Sequence, residues 1–123
     1  MSQQILVVED HEDNRQILRD LLSAAGYEMV EAHDGEQALV RVAQAKPDLI
    51  LMDIQLPGID GYEVTRRIKA DPMLAAIPII AVTSYALTGD DEKARAAGCD
   101  DYVAKPFSPR QLLAKIREYL PPP

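Results

Sequence analysis

The 123-residue chain has one cysteine, no tryptophan and no long hydrophobic run. The single cysteine, Cys99, cannot form a disulfide within the chain, which suits a reducing compartment. No apolar stretch approaches the roughly 20 residues that a membrane-spanning helix needs. The first residues also lack the positive charge and apolar stretch of a signal peptide. These absences predict a soluble cytoplasmic protein that does not act at a membrane.

Positive charge is scarce as well. The chain has 13 basic and 20 acidic residues, a net charge of −7, and no basic run. Because nucleic acids and anionic lipids attract positively charged surfaces, neither is an expected partner. Two histidines and one cysteine complete no plausible zinc set, so both His11 and His33 are expected to be solvated surface residues. The alternative for His11 is contact with the acidic residues beside it.

Apolar runs alternate with helical patterns along the whole chain. The apolar runs predict five strands, at residues 5–8, 27–32, 49–53, 77–83 and 101–104. Most of these strands are expected to be covered on both faces. The second strand shows some alternation of apolar and polar residues, so it is expected nearer an edge of the sheet. The first helix shows apolar residues at three- and four-residue spacings, at Ile17, Leu18, Leu21 and Leu22.

Helix ends are marked by their capping residues. Asp34 and Ser108 each precede a glutamine by three residues, which is typical of a helix N-terminus, and Thr88 with Asp91 predicts the start of the fourth helix. Gly26 and Gly98 are expected to follow the ends of helices.

Five strands that alternate with five helices predict parallel βαβ units with right-handed crossovers. The expected fold is an α/β, flavodoxin-like, doubly wound five-stranded parallel sheet in the order 2-1-3-4-5, with five helices on two faces. A hydrophobic content of 47% over this length is sufficient for one core, and no repeat or linker is visible. We therefore predict a single domain over residues 1–123.

Polar residues stand where the predicted strands end. Glu9 and Asp10 follow the first strand, Asp53 ends the third, Thr83 ends the fourth and Lys105 follows the fifth. The carboxyl ends of parallel strands share one edge of a sheet, and ligands bind there at the point where the strand order reverses. The sequence therefore predicts that three acids, a hydroxyl and an ammonium group converge in one cleft.

Charge repulsion in such a cleft favours a bound cation. Two like charges about 4 Å apart repel by roughly 4 kcal/mol at an effective dielectric constant of 20, which is large beside a net stability of about 5–15 kcal/mol. Lys105 relieves only part of this repulsion. Mg²⁺ prefers oxygen ligands at an open site, so we expect Glu9 and Asp10 to hold Mg²⁺, with Mn²⁺ or Ca²⁺ as possible substitutes.

The same cleft can bind a phosphoryl group, because the metal ion, Lys105 and Thr83 would share the charge of its oxygens. Asp53 is central and alone at its strand end. It is therefore the carboxylate best placed for in-line attack, and the expected product is an aspartyl phosphate.

These residues resemble the receiver domains of two-component response regulators over essentially the whole chain. The resemblance lies in four segments, which together are very specific: Ile5-Leu6-Val7-Val8-Glu9-Asp10, Asp48 to Asp53 continuing to Pro57 and Gly61, Val82-Thr83-Ser84, and Tyr102-Val103-Ala104-Lys105-Pro106.

The resemblance implies a role for each site residue. It implies that Asp53 is the phosphoacceptor, that Asp10 is a direct magnesium ligand, that Glu9 acts largely through water, and that the backbone carbonyl of Gln55 is a further ligand. Thr83 and Lys105 would contact the phosphoryl oxygens, and the Lys105–Pro106 peptide bond would be cis.

The family's partners and switch are implied in the same way. The phosphoryl group would come from a phosphohistidine of a histidine kinase or histidine phosphotransfer protein. Thr83 would then move toward it and Tyr102 would turn inward, which changes binding of a downstream protein target at the face formed by the fourth helix, fifth strand and fifth helix. Gln55 and Tyr85 would tune the lifetime of the phosphoryl group. The alternative role for Tyr102 is that of a half-buried strand aromatic.

Particular residues argue against two other functions. A phosphatase of the haloacid dehalogenase type needs a second aspartate where Gln55 stands. A nucleotide or flavin carrier needs a glycine-rich loop, whereas residues 11–14 are acidic and repel phosphates. A receiver-like module that only binds partners, without phosphorylation, stays open as an alternative.

The organisation of the natural protein is a separate expectation. Met1 lies close to the first strand and little sequence follows the fifth helix, which favours a stand-alone receiver; a module detached from a hybrid histidine kinase or a larger regulator is the alternative. A monomer is expected, with a phosphorylation-dependent dimer as the other possibility. A switch that phosphorylates and slowly dephosphorylates itself is not a conventional turnover enzyme, so its status as an enzyme is left open.

Overall fold

The computed structural model describes residues 3–83 and 90–120, in which strands and helices alternate. The strands are β1 (Gln4–Val8), β2 (Glu28–Ala32), β3 (Leu49–Asp53), β4 (Ile79–Thr83) and β5 (Asp101–Ala104). The helices are α1 (Glu12–Ala24), α2 (Gly35–Ala45), α3 (Gly61–Ala70), α4 (Asp90–Ala97) and α5 (Pro109–Tyr119). None of the helices within these ranges has the length and apolar character that crossing a membrane requires.

The strands form one parallel sheet in the order β2-β1-β3-β4-β5, which confirms the predicted topology. Its register sets the strand ends side by side. Val8 of β1 pairs with Met52, Asp53 of β3 pairs with Val82, and Thr83 of β4 pairs with Ala104. The residues that end or follow these strands therefore meet at one edge of the sheet.

The side chains of each strand alternate between two hydrophobic cores because successive strand residues point to opposite faces. Leu6, Ile50 and Ala81 pack in one core with apolar residues of α2, α3 and α4. Their neighbours Ile5, Leu51 and Ile80 pack in the other core with α1 and α5. The continuous apolar runs of the sequence follow from this two-sided burial.

Two of the predicted helix starts are confirmed by their capping bonds. The Asp34 side chain accepts a hydrogen bond from the Gln37 N–H at 2.8 Å. Ser108 and Gln111 form a reciprocal capping box at the start of α5. The predicted start of α4 at Thr88 lies outside the described residues.

The apolar pattern of α1 and its burial do not coincide at every residue. Ile17 belongs to the helical apolar pattern, but it is 57% exposed, whereas Leu18 and Leu22 are buried. The buried stripe of α1 is therefore narrower than the pattern indicates, because spacing alone does not fix where the stripe ends. β2 begins at Glu28 and is the edge strand, as expected.

Gly61 offers a test of how tightly β3 is joined to α3. A Cβ atom at this residue would lie 2.8 Å from the Ile54 Cα and would also collide with the carbonyl oxygen of Asp53. Since backbone atoms cannot easily move away, Gly61→Ala is expected to lower the free energy of unfolding by about 2 kcal/mol or more, measured by urea denaturation.

Gly58→Ala is the matched control for this variant. Gly58 has a φ of +75°, and an added Cβ would meet nothing within 4 Å. Its substitution should therefore carry only the left-handed backbone penalty of about 1–2 kcal/mol. An equal or smaller loss for Gly61→Ala would show that the join between β3 and α3 is not tightly packed.

Candidate functional site

Lys105 brings together residues that are distant in the sequence. Its Nζ donates a hydrogen bond to Glu9 Oε1 at 2.9 Å and lies 3.5 Å from Asp53 Oδ2. Glu9 and Asp53 are 2% and 4% exposed. Three of the predicted site residues, from the ends of β1, β3 and β5, are therefore in direct contact in a buried setting.

The backbone around Asp53 fixes this arrangement. The Lys105 N–H donates to the Thr83 carbonyl at 2.7 Å, and the Ile54 N–H donates to the Val82 carbonyl at 3.2 Å. These bonds extend the strand pairing past Asp53 and up to Lys105. Thr83 is 2% exposed at the end of β4, so its hydroxyl is held at the same edge.

Burial and the neighbouring charge of Glu9 make Asp53 an unusual carboxyl group. Both effects disfavour its ionised form, and they outweigh the attraction of Lys105 and the hydrogen bond from the Gln55 N–H to Oδ1 at 3.0 Å. The pKa of Asp53 is raised to about 6. At neutral pH the group is largely ionised, but its negative charge is poorly compensated.

Glu9 shows the opposite shift. Burial raises its pKa, but the hydrogen bond from Lys105 and the one from the His11 N–H at 3.1 Å outweigh burial and bring the pKa down to about 2. Asn14 Nδ2 also donates to Glu9 Oε1 at 3.3 Å. For Lys105, burial lowers the pKa, but the two carboxylates raise it above its usual value. Glu9 and Lys105 are therefore a stable ion pair.

Asp10 and His11 extend the acidic group toward the solvent. Asp10 Oδ1 is buried and accepts no hydrogen bond of suitable geometry among the described residues. The nearest side-chain nitrogen is His11 Nδ1, at 3.2 Å from this oxygen and 3.4 Å from Glu9 Oε2. The His11 side chain is 70% exposed, so the expectation of a surface residue holds, but the expectation that it is merely solvated is wrong.

Arg15 is a positioning residue that the sequence did not reveal. It is 9% exposed, and its Nη1 donates to the Glu9 carbonyl at 2.8 Å. Its guanidinium also contacts Glu12 at 2.6 Å and Glu31 at 3.3 Å. The available sequence signal for a buried arginine was its position three residues before Leu18, a buried residue of the same helix. Its role follows only from seeing the end of β1 beside α1.

The other predicted residues are placed as follows. Gln55 is exposed and touches Asp53 through its backbone N–H. Tyr102 is half-buried in β5. The Lys105–Pro106 peptide bond is cis, the configuration that the resemblance implies. Ser84 and Tyr85 lie outside the described residues. A cleft of about 480 Å³ opens beside Asp53 and Lys105, with Leu18 and Phe107 on its apolar side.

Comparison with known proteins identifies the family. Residues 5–117 match the family model of the response regulator receiver domain. The chain belongs to this family. It is 45% identical over 120 residues to the polar-differentiation response regulator DivK of Brucella anthropi, and the match covers 98% of each chain.

Two solved structures show the same relationship. The receiver domain of the sensor histidine kinase PA1611 of Pseudomonas aeruginosa, which has a magnesium ion coordinated in its active-site cleft, is 39% identical with a TM-score of 0.90; the match covers 97% of this chain and 98% of that one. The chemotaxis protein CheY4 of Vibrio cholerae is 28% identical with a TM-score of 0.92, over 98% of this chain and all of the other. The chain is thus a receiver domain of two-component signalling.

The charge of Asp53 has a consequence for stability that can be measured without any phosphoryl group. The pKa of Asp53 is higher in the folded protein, about 6, than its usual value of 3.8. The folded state then binds more protons, so stability falls as the pH rises from about 4 to about 6. In metal-free protein at pH 7.5, Asp53→Asn is expected to raise the Tm by about 5 °C.

The pH dependence provides the control within that experiment. At pH 4, where the folded protein holds the proton on Asp53, the difference between Asp53→Asn and wild type should largely disappear. Glu28→Gln removes one negative charge from an exposed position on β2 and should leave the Tm nearly unchanged at both pH values. An Asp53→Asn variant that is no more stable at pH 7.5 would contradict the raised pKa.

Proposed function

We propose that the chain is a phosphorylation-dependent switch in which Asp53 accepts a phosphoryl group from a phosphohistidine of a histidine kinase or a histidine phosphotransfer protein. The observation that supports this proposal is the contact of Lys105 with both Glu9 and Asp53 at the carboxyl edge of the sheet. The ammonium group, together with a cation held by the carboxylates, would offset the charge of a phosphoryl group in the adjoining cleft.

Asp53 is the proposed nucleophile. A carboxylate oxygen attacks phosphorus in line while the bond between phosphorus and the imidazole nitrogen of the donor breaks. The bonding electrons leave with the imidazole, and the product is an acyl phosphate on Asp53. The Gln55 N–H, 3.0 Å from Oδ1, orients the carboxylate, which leaves Oδ2 on the side of Lys105.

The acidic group fits a hard divalent cation. Among the described residues no group donates a hydrogen bond to the buried Asp10 Oδ1, which is the state expected of an oxygen that ligates a metal ion. We propose Asp10, Asp53 and the Gln55 carbonyl as ligands of Mg²⁺, with Glu9 acting largely through water because Lys105 and Asn14 already occupy its Oε1. When bound, Mg²⁺ would neutralise the charge of the carboxylates and of the phosphoryl oxygens. Mn²⁺ or Ca²⁺ are proposed substitutes.

Lys105 and Thr83 are the proposed partners of the phosphoryl oxygens. Lys105 is already directed at Asp53 and can follow the negative charge from the carboxylate to the phosphoryl group. Thr83 is buried at the neighbouring strand end, so a movement of its hydroxyl would alter the packing behind it. These two residues link the chemistry to the conformation of β4 and β5.

Binding of a downstream protein target is the proposed output. Tyr102 is half-buried on β5, three residues before Lys105, and is the proposed aromatic of the switch at the face of α4, β5 and α5. Such a switch acts by differential binding to two states, and a shift of the population from 1:99 to 99:1 needs about 5.5 kcal/mol. A monomer is the proposed state before phosphorylation.

The phosphoacceptor assignment can be tested by intact-mass measurement at neutral pH. Incubation with acetyl phosphate or phosphoramidate and Mg²⁺ is expected to add one phosphoryl group to wild type and to Glu28→Gln, and none to Asp53→Asn. Omission of Mg²⁺, or the variant Asp10→Asn, should greatly reduce the gain. Folded wild-type protein that gains no mass with either donor would favour the alternative of a receiver-like module that only binds partners.

The lifetime of the phosphoryl group tests the proposed role of Tyr85. Its bulk, two residues after Thr83, is expected to obstruct the path of the attacking water and slow hydrolysis. Tyr85→Ala should therefore lose the phosphoryl group several-fold faster than wild type, while Tyr85→Phe, which keeps the ring, should retain the slow rate. Loss of phosphoryl groups can be followed by mass after removal of the donor, and equal rates for all three proteins would reject this role.

A further inference from the structure

His11 lies where a third metal ligand would stand. Its Nδ1, one carboxylate oxygen of Glu9 and one of Asp10 all lie within 4.8 Å of one another. The imidazole nitrogen is 3.2 Å from Asp10 Oδ1 and 3.4 Å from Glu9 Oε2. This set combines one nitrogen and two oxygen donors, which differs from the all-oxygen set proposed above for Mg²⁺.

The orientation of His11 comes from its contact with the two acids, not from helix capping or packing. His11 is the N-cap residue of α1, yet its side chain makes no capping hydrogen bond, which is the usual role of a side chain at that position. The ring is 70% exposed, so neighbouring side chains do not confine it. Its Nδ1 nevertheless faces the two acids, while its backbone N–H is fixed by Glu9 Oε2 at 3.1 Å.

The oxygens beside His11 still have lone pairs to offer a metal ion. Lys105 and Asn14 donate to Glu9 Oε1, whereas Oε2 accepts the His11 N–H and keeps a second lone pair on the side of the imidazole. Asp10 Oδ1 is buried without a hydrogen-bond donor among the described residues. A receiver domain 39% identical to this chain holds a magnesium ion in its active-site cleft, which is independent support for a cation in this part of the fold.

Ligand chemistry indicates which ions would use the imidazole. Mg²⁺ takes oxygen ligands and water, whereas Zn²⁺, Ni²⁺ and Co²⁺ bind imidazole nitrogen well. We propose that His11 Nδ1 is an additional ligand of this metal site, which gives the receiver a His11-dependent affinity for Zn²⁺ and related transition ions that Mg²⁺ does not share. The inference rests on the proposed metal role of Asp10 and Glu9, and it adds a ligand and an ion class to that site.

Calorimetric titration of the untagged, metal-free protein with Zn²⁺ and separately with Mg²⁺, at one fixed pH, tests the inference. His11→Gln keeps a polar side chain of similar length but lacks the imidazole. We expect it to weaken Zn²⁺ binding at least tenfold and to change Mg²⁺ binding by less than twofold. His33→Gln is the matched control, because His33 is the chain's other histidine and lies at the end of β2, outside the cluster of Glu9, Asp10 and His11. It should leave both affinities unchanged.

Nitrogen-15 NMR of the imidazole rings supplies a direct readout. Saturating Zn²⁺ should shift the Nδ1 resonance of His11 far more than its Nε2 resonance, whereas saturating Mg²⁺ should shift neither strongly. Equal Zn²⁺ affinity in wild type and His11→Gln, or a Zn²⁺-induced shift confined to His33, would overturn the inference while Mg²⁺ binding at Asp10 still stood. If Asp10→Asn bound both Zn²⁺ and Mg²⁺ as tightly as wild type, the proposed metal site itself would be overturned.

Discussion

The ion pair between Lys105 and Glu9, with Asp53 on its other side, is the interaction around which this molecule is arranged. The three side chains come from the ends of three strands, and the two carboxylates lie 2.9 Å and 3.5 Å from the ammonium nitrogen of Lys105. One positive charge cannot compensate two buried carboxylates, and the additional acid Asp10 increases the imbalance. The edge of the sheet is therefore stable enough to form, but it retains a net negative charge that favours a bound cation.

Two carboxyl groups in the same environment acquire different properties because their hydrogen bonds differ. Glu9 receives donors from Lys105, Asn14 and the His11 backbone, and its pKa falls to about 2. Asp53 receives the Gln55 N–H and the longer contact with Lys105, and its pKa rises to about 6. Environments that separate the pKa values of neighbouring carboxyl groups also separate their roles. This difference supports the proposal that Asp53, and not Glu9, is the carboxylate that reacts.

The sequence predicted the parts of this arrangement that depend on the order of strands. The apolar runs that end in Asp53 or precede Lys105 are sufficient to predict that these residues converge, because a parallel sheet of known order places all its carboxyl ends together. The sequence did not reveal the exposure of Ile17, the orientation of the His11 ring or the contacts of Arg15. Their roles depend on where a helix stripe ends and on which way a ring or guanidinium turns, and neither follows from residue spacing. Glu31 of β2 contacts Arg15, and β2 is an edge strand whose sequence pattern is weak. Contacts between a helix and such a strand are therefore hard to predict from the sequence.

The two-sided core explains why such an acidic cleft can exist in so small a domain. The three central strands β1, β3 and β4 bury their residues against α2, α3 and α4 on one face and against α1 and α5 on the other, so packing holds these strands up to their carboxyl ends. Gly61 permits α3 to begin directly against the Asp53 carbonyl, and the Lys105 N–H closes the same edge by binding the Thr83 carbonyl. Repulsion among the acids therefore acts on a backbone that packing and hydrogen bonds hold in place. Under that constraint a bound cation is the effective way to offset the charge, which is the physical argument for the proposed metal site.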